Sequence, residues 1–136
     1  MAALRQAITT PNASPAVGHY SQAVVHNGET VYVSGLLPIT PSGEKLASEP
    51  FDVQATQVMQ NLKAILEAAG SSLGDVLSVR VYMADMEEWG EFNKVYTSFM
   101  GDNKPARAVV PIVPALPFGV KLELEAVAGC GGWSRL

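Results

Sequence analysis

Cysteine is almost missing from this chain. Cys130 is the one thiol in 136 residues, so no intrachain disulfide can form, and a reducing compartment, the cytoplasm, is the expected location. Cys130 has no CxxC or CxxH companion and reads as an inert thiol, while His19 and His26 fall outside any spaced ligand set. A protein metal site is therefore not expected. Charge is scarce too, at 16% of residues with a net charge of −4 and a pI of about 5.0, and Lys and Arg nowhere form a run. That argues against a nucleic-acid groove or an anionic membrane surface as partner. No apolar run approaches a membrane span, and the opening MAALRQAITT lacks the apolar stretch of a signal peptide. Also missing are a GxGxxG between strand and helix, a GxxxxGK, and a nucleophile elbow around Ser21 or Ser34. Dinucleotide, phosphate-loop and serine-hydrolase chemistry are set aside on that basis.

What the chain does have is hydrophobic residues, 48% of the total, enough for one core and a single domain over residues 1–136 without metal or disulfide support. So little charge on so apolar a chain suggests that part of the surface is covered in an oligomer. The most informative stretch is PARAVVPIVPALPFGVKLELEAVA, from Pro105 to Ala128. Two β-type runs, Ala106 to Val113 and Gly119 to Ala128, flank a turn carrying Pro114, Pro117 and Gly119, which reads as a hairpin. In the second run Val120, Leu122, Leu124 and Ala126 alternate with Lys121, Glu123 and Glu125, so the two sets point to opposite faces. A hairpin symmetric about Ala115 would set Arg107 across from Glu123, either as a structural salt bridge or as two charged walls of a small polar pocket.

The rest of the chain reads in order. Residues 1–19, with Pro11, Asn12, Ser14, Pro15 and Gly18, suggest an irregular arm or a short edge strand. Ser21 to His26 and Thr30 to Ser34 are strands joined at Asn27-Gly28, with Gly35 ending the second. Pro50 suits a first helical position with Ser48 as cap. Ala55, Val58, Met59, Leu62, Ile65, Leu66 and Ala69 then recur at helical spacing up to Gly70. Val76 to Met83 is a strand with Val76, Ser78, Arg80 and Tyr82 on one face and Leu77, Val79, Val81 and Met83 on the other. Asp85 and Glu88 have capping-box spacing. They open a helix whose Trp89, Phe92, Val95, Tyr96 and Phe99 form a stripe suited to core packing, with Gly101 at its end. The order β-β-α-β-α-β-β predicts an α+β domain with two helices on one face of a sheet.

Two residues carry obvious chemistry. Arg107 offers a planar fork of donors matched to a carboxylate, and Glu123 can hold and activate a water. Beside them stand Gly18-His19-Tyr20-Ser21-Gln22-Ala23, Val33-Ser34-Gly35, Gln60-Asn61-Leu62, Asn93-Lys94-Val95-Tyr96, Pro105-Ala106-Arg107 and Glu123-Leu124-Glu125-Ala126. Together these segments resemble the RidA (YjgF/YER/UK) family of enamine/imine deaminases, over nearly the whole chain from Ala7 to Ala128.

The resemblance implies a chorismate-mutase-like fold assembled as a homotrimer, with helices outside, sheets forming an inner barrel, and three clefts between neighbouring subunits. It implies hydrolysis of small carboxylate-bearing 2-imino or 2-enamino acids to 2-keto acids and ammonia, with no cofactor. On this chain Arg107 would clamp the substrate carboxylate, Glu123 would position water, and Tyr20 would line the cleft. Ser34 and Gly35 would present backbone groups to the imine, and Asn93 would contribute near the subunit boundary. His19, Leu36 and Val109 depart from common family residues, and the turn from Pro114 to Gly119 is one residue longer than usual. His19, Leu36, Val109 and Phe118 are thus candidates for shaping the cleft, and a larger product such as 2-aminomuconate is an alternative substrate. A second class is a non-catalytic trimer that binds carboxylates or partner proteins. RNA cleavage, proposed for some relatives, sits poorly with an acidic chain.

Overall fold

The computed structural model describes residues 4–130; residues 131–136, whose sequence carried too little pattern to interpret, lie outside them. The described elements are β1 (Arg5–Ile8), β2 (Ala23–His26), β3 (Thr30–Leu36), α1 (Phe51–Ala68), β4 (Val76–Met83), α2 (Trp89–Met100), β5 (Ala106–Pro111) and β6 (Leu122–Gly129). The strands form one sheet in the order β1-β2-β3-β6-β4-β5. Both helices pack on one face, as the α+β reading expected. β1 adds a strand to that reading: the N-terminal arm is an edge strand, with only Ile8 of its residues buried.

Between β2 and β3 the turn His26–Glu29 is closed by the Glu29 amide donating to the His26 carbonyl at 3.0 Å, and its central residues Asn27 and Gly28 take φ of 54° and 66°, left-handed values that Asn and Gly tolerate. The apolar stripe of α1 seals the core, and Ala55, Val58, Met59, Leu62, Ile65 and Leu66 are all fully buried. Its start differs from expectation. Pro50 is the cap residue itself, and no side chain caps the end, since Pro50 fixes an extended entry and brings no hydrogen-bonding side chain of its own. At the other end the amides of Gly70 and Ser71 donate to Glu67 and Leu66, closing the last turn in a Schellman arrangement. Asp85 accepts from the Glu87 amide at 2.9 Å and so caps the 3₁₀ turn Met86–Glu88, not α2 directly. Phe92 and Tyr96 of α2 enter the core, whereas Trp89 is 45% exposed.

The stretch from Pro105 to Ala128 is not a hairpin. β5 pairs in parallel with β4, and β6 lies between β3 and β4, antiparallel to both. The β4-α2-β5 segment is a crossover unit. Proline decides the placement of the two strands: Pro111 lacks an N–H and suits a strand at the sheet edge, while the proline-free, alternating β6 suits the centre. Arg107 therefore aligns with Val79, and Glu123 with Tyr82. A register shift between Val76 and Ser78 corrects the faces of β4 as well. Val76 turns into the core and Leu77 is 49% exposed, because a bulge reverses the alternation before it.

Opposite the helices, the sheet presents Tyr32, Arg80, Tyr82, Glu123 and Glu125. The Tyr82 hydroxyl donates to Glu125 at 2.8 Å, and Arg80 lies 3.6 Å from the same carboxylate. Among the described residues, no helix is long and apolar enough to cross a membrane.

Candidate active site

β3 does not stop at Gly35. It runs on to Leu36, with its pairing to β6 shifted between Val33 and Leu36. This bulge brings the Gly35 backbone against the Glu123 side chain so closely that a Cβ on Gly35 would occupy the place of the Glu123 carboxylate. Glycine here is a matter of space, since the Gly35 φ is not among the positive ones. Around this contact Val17, Tyr20, Ser34, Leu37, Pro117 and Phe118 complete a cleft of about 450 Å³. Ser34 is fixed by its hydroxyl, which donates to the Ser21 carbonyl at 2.6 Å. Tyr20 is fixed at its tip, where the hydroxyl accepts from the Val17 amide at 3.1 Å. Phe118 holds a φ of 60°, and Lys45 Nζ stands 4.7 Å from the centre of its ring.

The lining combines polar groups, Glu123, Ser34 and Tyr20, with the apolar Val17, Leu37, Pro117 and Phe118. The Glu123 carboxyl is half-buried, and its pKa is raised above the ordinary value, first by burial and then by the neighbouring Glu125 charge. Both effects disfavour the anion and move the group toward the range of a working general base. Gly35→Ala is expected to displace this carboxylate. The far end of a flexible side chain can give way, so the fold should persist while any reaction that uses this carboxylate slows by about 10²-fold through its misplacement. Circular dichroism beside steady-state rates checks it.

Arg107 builds a second cleft of about 330 Å³ with Asn93, Tyr96, Thr97, Met100, Asn103 and Lys104. Its guanidinium Nη1 donates to Asn93 Oδ1 at 2.9 Å and lies over the rings of Tyr96 and Phe92, 4.9 and 5.9 Å from their centres. One helix supplies all three contacts, because positions 92, 93 and 96 share a face of α2. The buried Tyr96 hydroxyl has no hydrogen-bond partner among the described residues; burial pushes its pKa up and Arg107 pulls it back.

The two clefts do not meet within one chain. Val79, which aligns with Arg107, faces the core beneath the helices, whereas Tyr82, which aligns with Glu123, faces the open side. The expected pairing of Arg107 with Glu123 across a hairpin is thus replaced by two groups on opposite faces of the sheet, with β4 between their strands. The structure gathers Tyr20, Ser34, Gly35, Phe118 and Glu123 in one place, and Arg107 with Asn93 in another. Leu36 is buried in the core and Val109 packs against it, while His19 is exposed in the turn before Tyr20; none of the three lines these two clefts. Among the described residues, no group of three or more His, Cys, Asp or Glu is arranged to hold a metal ion.

The sequence reading gave no role to three side-chain amides. Gln22, Gln54 and Asn61 are buried, and each ties loops that border the Glu123 cleft. Gln54 Oε1, for example, accepts from the Lys121 amide at 3.0 Å, which fixes the approach to β6. The available signal was an Asn and a Gln seven residues apart on the apolar face of α1.

Comparison with known proteins gives consistent matches. The family model described as Endoribonuclease L-PSP matches residues 10–130. A RutC family protein of Pyrococcus horikoshii is 42% identical over 125 residues, covering 92% of this chain and 98% of that protein. The 2-iminobutanoate/2-iminopropanoate deaminase of Rattus norvegicus is 38% identical over 125 residues, covering 92% of this chain and 90% of its own. Among solved structures, RidA from the Antarctic bacterium Psychrobacter superposes with a TM-score of 0.85 at 43% identity, over 91% of this chain and 98% of that one.

Proposed function

The chain belongs to the Endoribonuclease L-PSP family, the YjgF/RidA family, and from that membership we propose that it hydrolyses reactive 2-imino and 2-enamino acids to 2-keto acids and ammonia. The observation that carries the reading is the half-buried Glu123 carboxylate with its raised pKa, facing an open cleft beside Gly35 and Tyr20. The rat relative named for this reaction supports the same chemistry.

In this reading the substrate enters as the imine, formed from the enamine by a proton shift to carbon. Its protonated C=N carbon accepts the oxygen of a water whose proton passes to Glu123. The resulting carbinolamine takes that proton from Glu123 onto nitrogen, and as the C–N bond breaks its hydroxyl proton passes to the departing ammonia, leaving the keto acid, ammonium and Glu123 as the carboxylate it was. The hydrolysis is redox-neutral and calls for no further reactant and no cofactor. Arg107 clamps the substrate carboxylate. Because it lies on the other face of its own sheet, it serves the Glu123 cleft of a neighbouring copy, in a homotrimer whose sheets face inward. Carboxylate clamping holds the C=N carbon against the water, so positioning and proton transfer supply the rate.

The family description names an endoribonuclease, but a net charge of −4 and a carboxylate in the cleft lining disfavour a polyanion. The test is release of ammonia and keto acid from freshly generated 2-iminobutanoate. Acceleration over buffer is expected. Its absence with this substrate and with a 2-aminomuconate-type substrate would leave a carboxylate-binding trimer without turnover.

A further inference from the structure

We propose that Gln22 and Asn61 are positioning residues, two buried amides that hold the Tyr20-bearing wall of the Glu123 cleft at a set distance from the Leu37 wall. This rests on the reading of that cleft as the site of imine hydrolysis.

The segment from Val17 to Tyr20 closes on itself. The Val17 amide donates to the Tyr20 hydroxyl at 3.1 Å, and the Tyr20 amide to the Gly18 carbonyl at 2.9 Å. Its placement against the rest of the molecule is therefore set at its two ends, Ser14 and Gln22. The Gln22 end is anchored to β3, where the Ser34 amide donates to the Gln22 carbonyl at 3.1 Å. At the other end the peptide groups of Ser14 are gripped on both sides. The Ser14 amide donates to Asn61 Oδ1 at 3.2 Å, and the Ser14 carbonyl accepts from Gln22 Nε2 at 2.7 Å.

Each amide also holds a second segment. Gln22 Oε1 accepts from the Thr10 amide at 2.7 Å and its Nε2 donates to the Thr10 carbonyl at 3.1 Å, so one side chain fastens two points of the arm. Asn61 Nδ2 donates to the Ile39 carbonyl at 2.8 Å and, at 3.5 Å, to that of Leu37. Its Oδ1 takes a second bond from Gln57 Nε2 at 2.9 Å. Asn61 thus spans both walls at once, with Ser14 leading to Tyr20 on one side and Leu37 lining the cleft on the other.

Burial explains why amides do this. Asn61 is fully buried and Gln22 only 6% exposed, where an amide keeps its place only if its donors and acceptors are used. An amide offers both kinds at once, so it can grip a peptide N–H on one strap and a carbonyl on another. The network has few alternative geometries, which makes it a ruler for the width of the cleft. Helix propensity does not account for Asn61, since Asn is a poor helix former.

The test compares wild type with Asn61→Leu and Gln22→Met, reading KM and kcat for 2-iminobutanoate and amide hydrogen exchange across residues 14–20. Displacement of the Tyr20 wall is expected to lower kcat/KM by about 10²-fold, chiefly through KM, with faster exchange in that segment. A variant that merely loses folded molecules would show reduced apparent kcat at unchanged KM, and that result overturns the proposal. Unchanged exchange in a folded variant overturns it too. Should Asn61→Leu fail to fold, Gln22→Met decides, because it leaves the helix intact. Should the wild type hydrolyse no imine, the reading of the reaction fails, and the exchange data alone decide whether the amides hold the wall.

Discussion

Replacing Glu123 with Gln is expected to slow imine hydrolysis by about 10²- to 10⁴-fold, the usual contribution of a general base, while the keto-acid product still binds. The substitution keeps the size and shape of the side chain and removes its ability to take a proton. The pH dependence follows from the raised pKa of Glu123. In the proposed mechanism the working form is the carboxylate, so wild-type activity should fall as pH drops through a pKa raised from that of an ordinary glutamate, and the variant should lack that limb. Stability moves the other way. A carboxyl whose folded pKa lies above its unfolded value binds more protons when folded, so stability declines as pH rises between the two values. Gln carries no such burden, and Glu123→Gln should melt no lower than wild type at neutral pH. An inactive variant with intact ligand binding and an undiminished melting temperature isolates proton transfer. Full activity in this variant would remove Glu123 from the chemistry.

How much of this was legible in the sequence depended on whether neighbours along the chain settled the matter. The Asn27-Gly28 turn, the α1 stripe and the alternation of β6 are local patterns, and each predicted its element. The pairing of β5 was not local. Two strands separated by a proline-rich turn look like a hairpin until the sheet supplies a different partner, and β4, reached through α2, was the better one for an edge strand bearing Pro111. That single exchange moved Arg107 from beside Glu123 to the opposite face. On β4 the faces of Ser78 to Met83 were read correctly and only Val76 and Leu77 were exchanged, since a bulge at Leu77 leaves no mark in hydropathy. Gln22 and Asn61 stood in the segments that marked the family resemblance, yet no pattern of charge or spacing said what a buried amide would grip.

The separation of the two charged groups has a consequence that distinguishes a shared site from a private one. Arg107→Ala alone should lower kcat/KM by about 10- to 150-fold, the equivalent of a charge-assisted carboxylate contact of roughly 1.5–3 kcal/mol, with the oligomer unchanged in size-exclusion chromatography. Its removal also frees Asn93 Oδ1, which now accepts from the guanidinium, so some loss would come from the helix side of that cleft. Mixing separates these contributions. In the proposed trimer each site takes Glu123 from one copy and Arg107 from its neighbour, so neither Arg107→Ala nor Glu123→Gln homotrimers contain an intact site. Dissociating and reassembling equal amounts of the two variants should make about a quarter of the sites whole, because each of the two contributing copies is the required one about half the time. Activity in the mixture would then exceed the sum of the two variants by a wide margin. A site built within one chain cannot regain activity this way, so a mixture no better than its components would rule out the shared cleft even if both single variants were impaired.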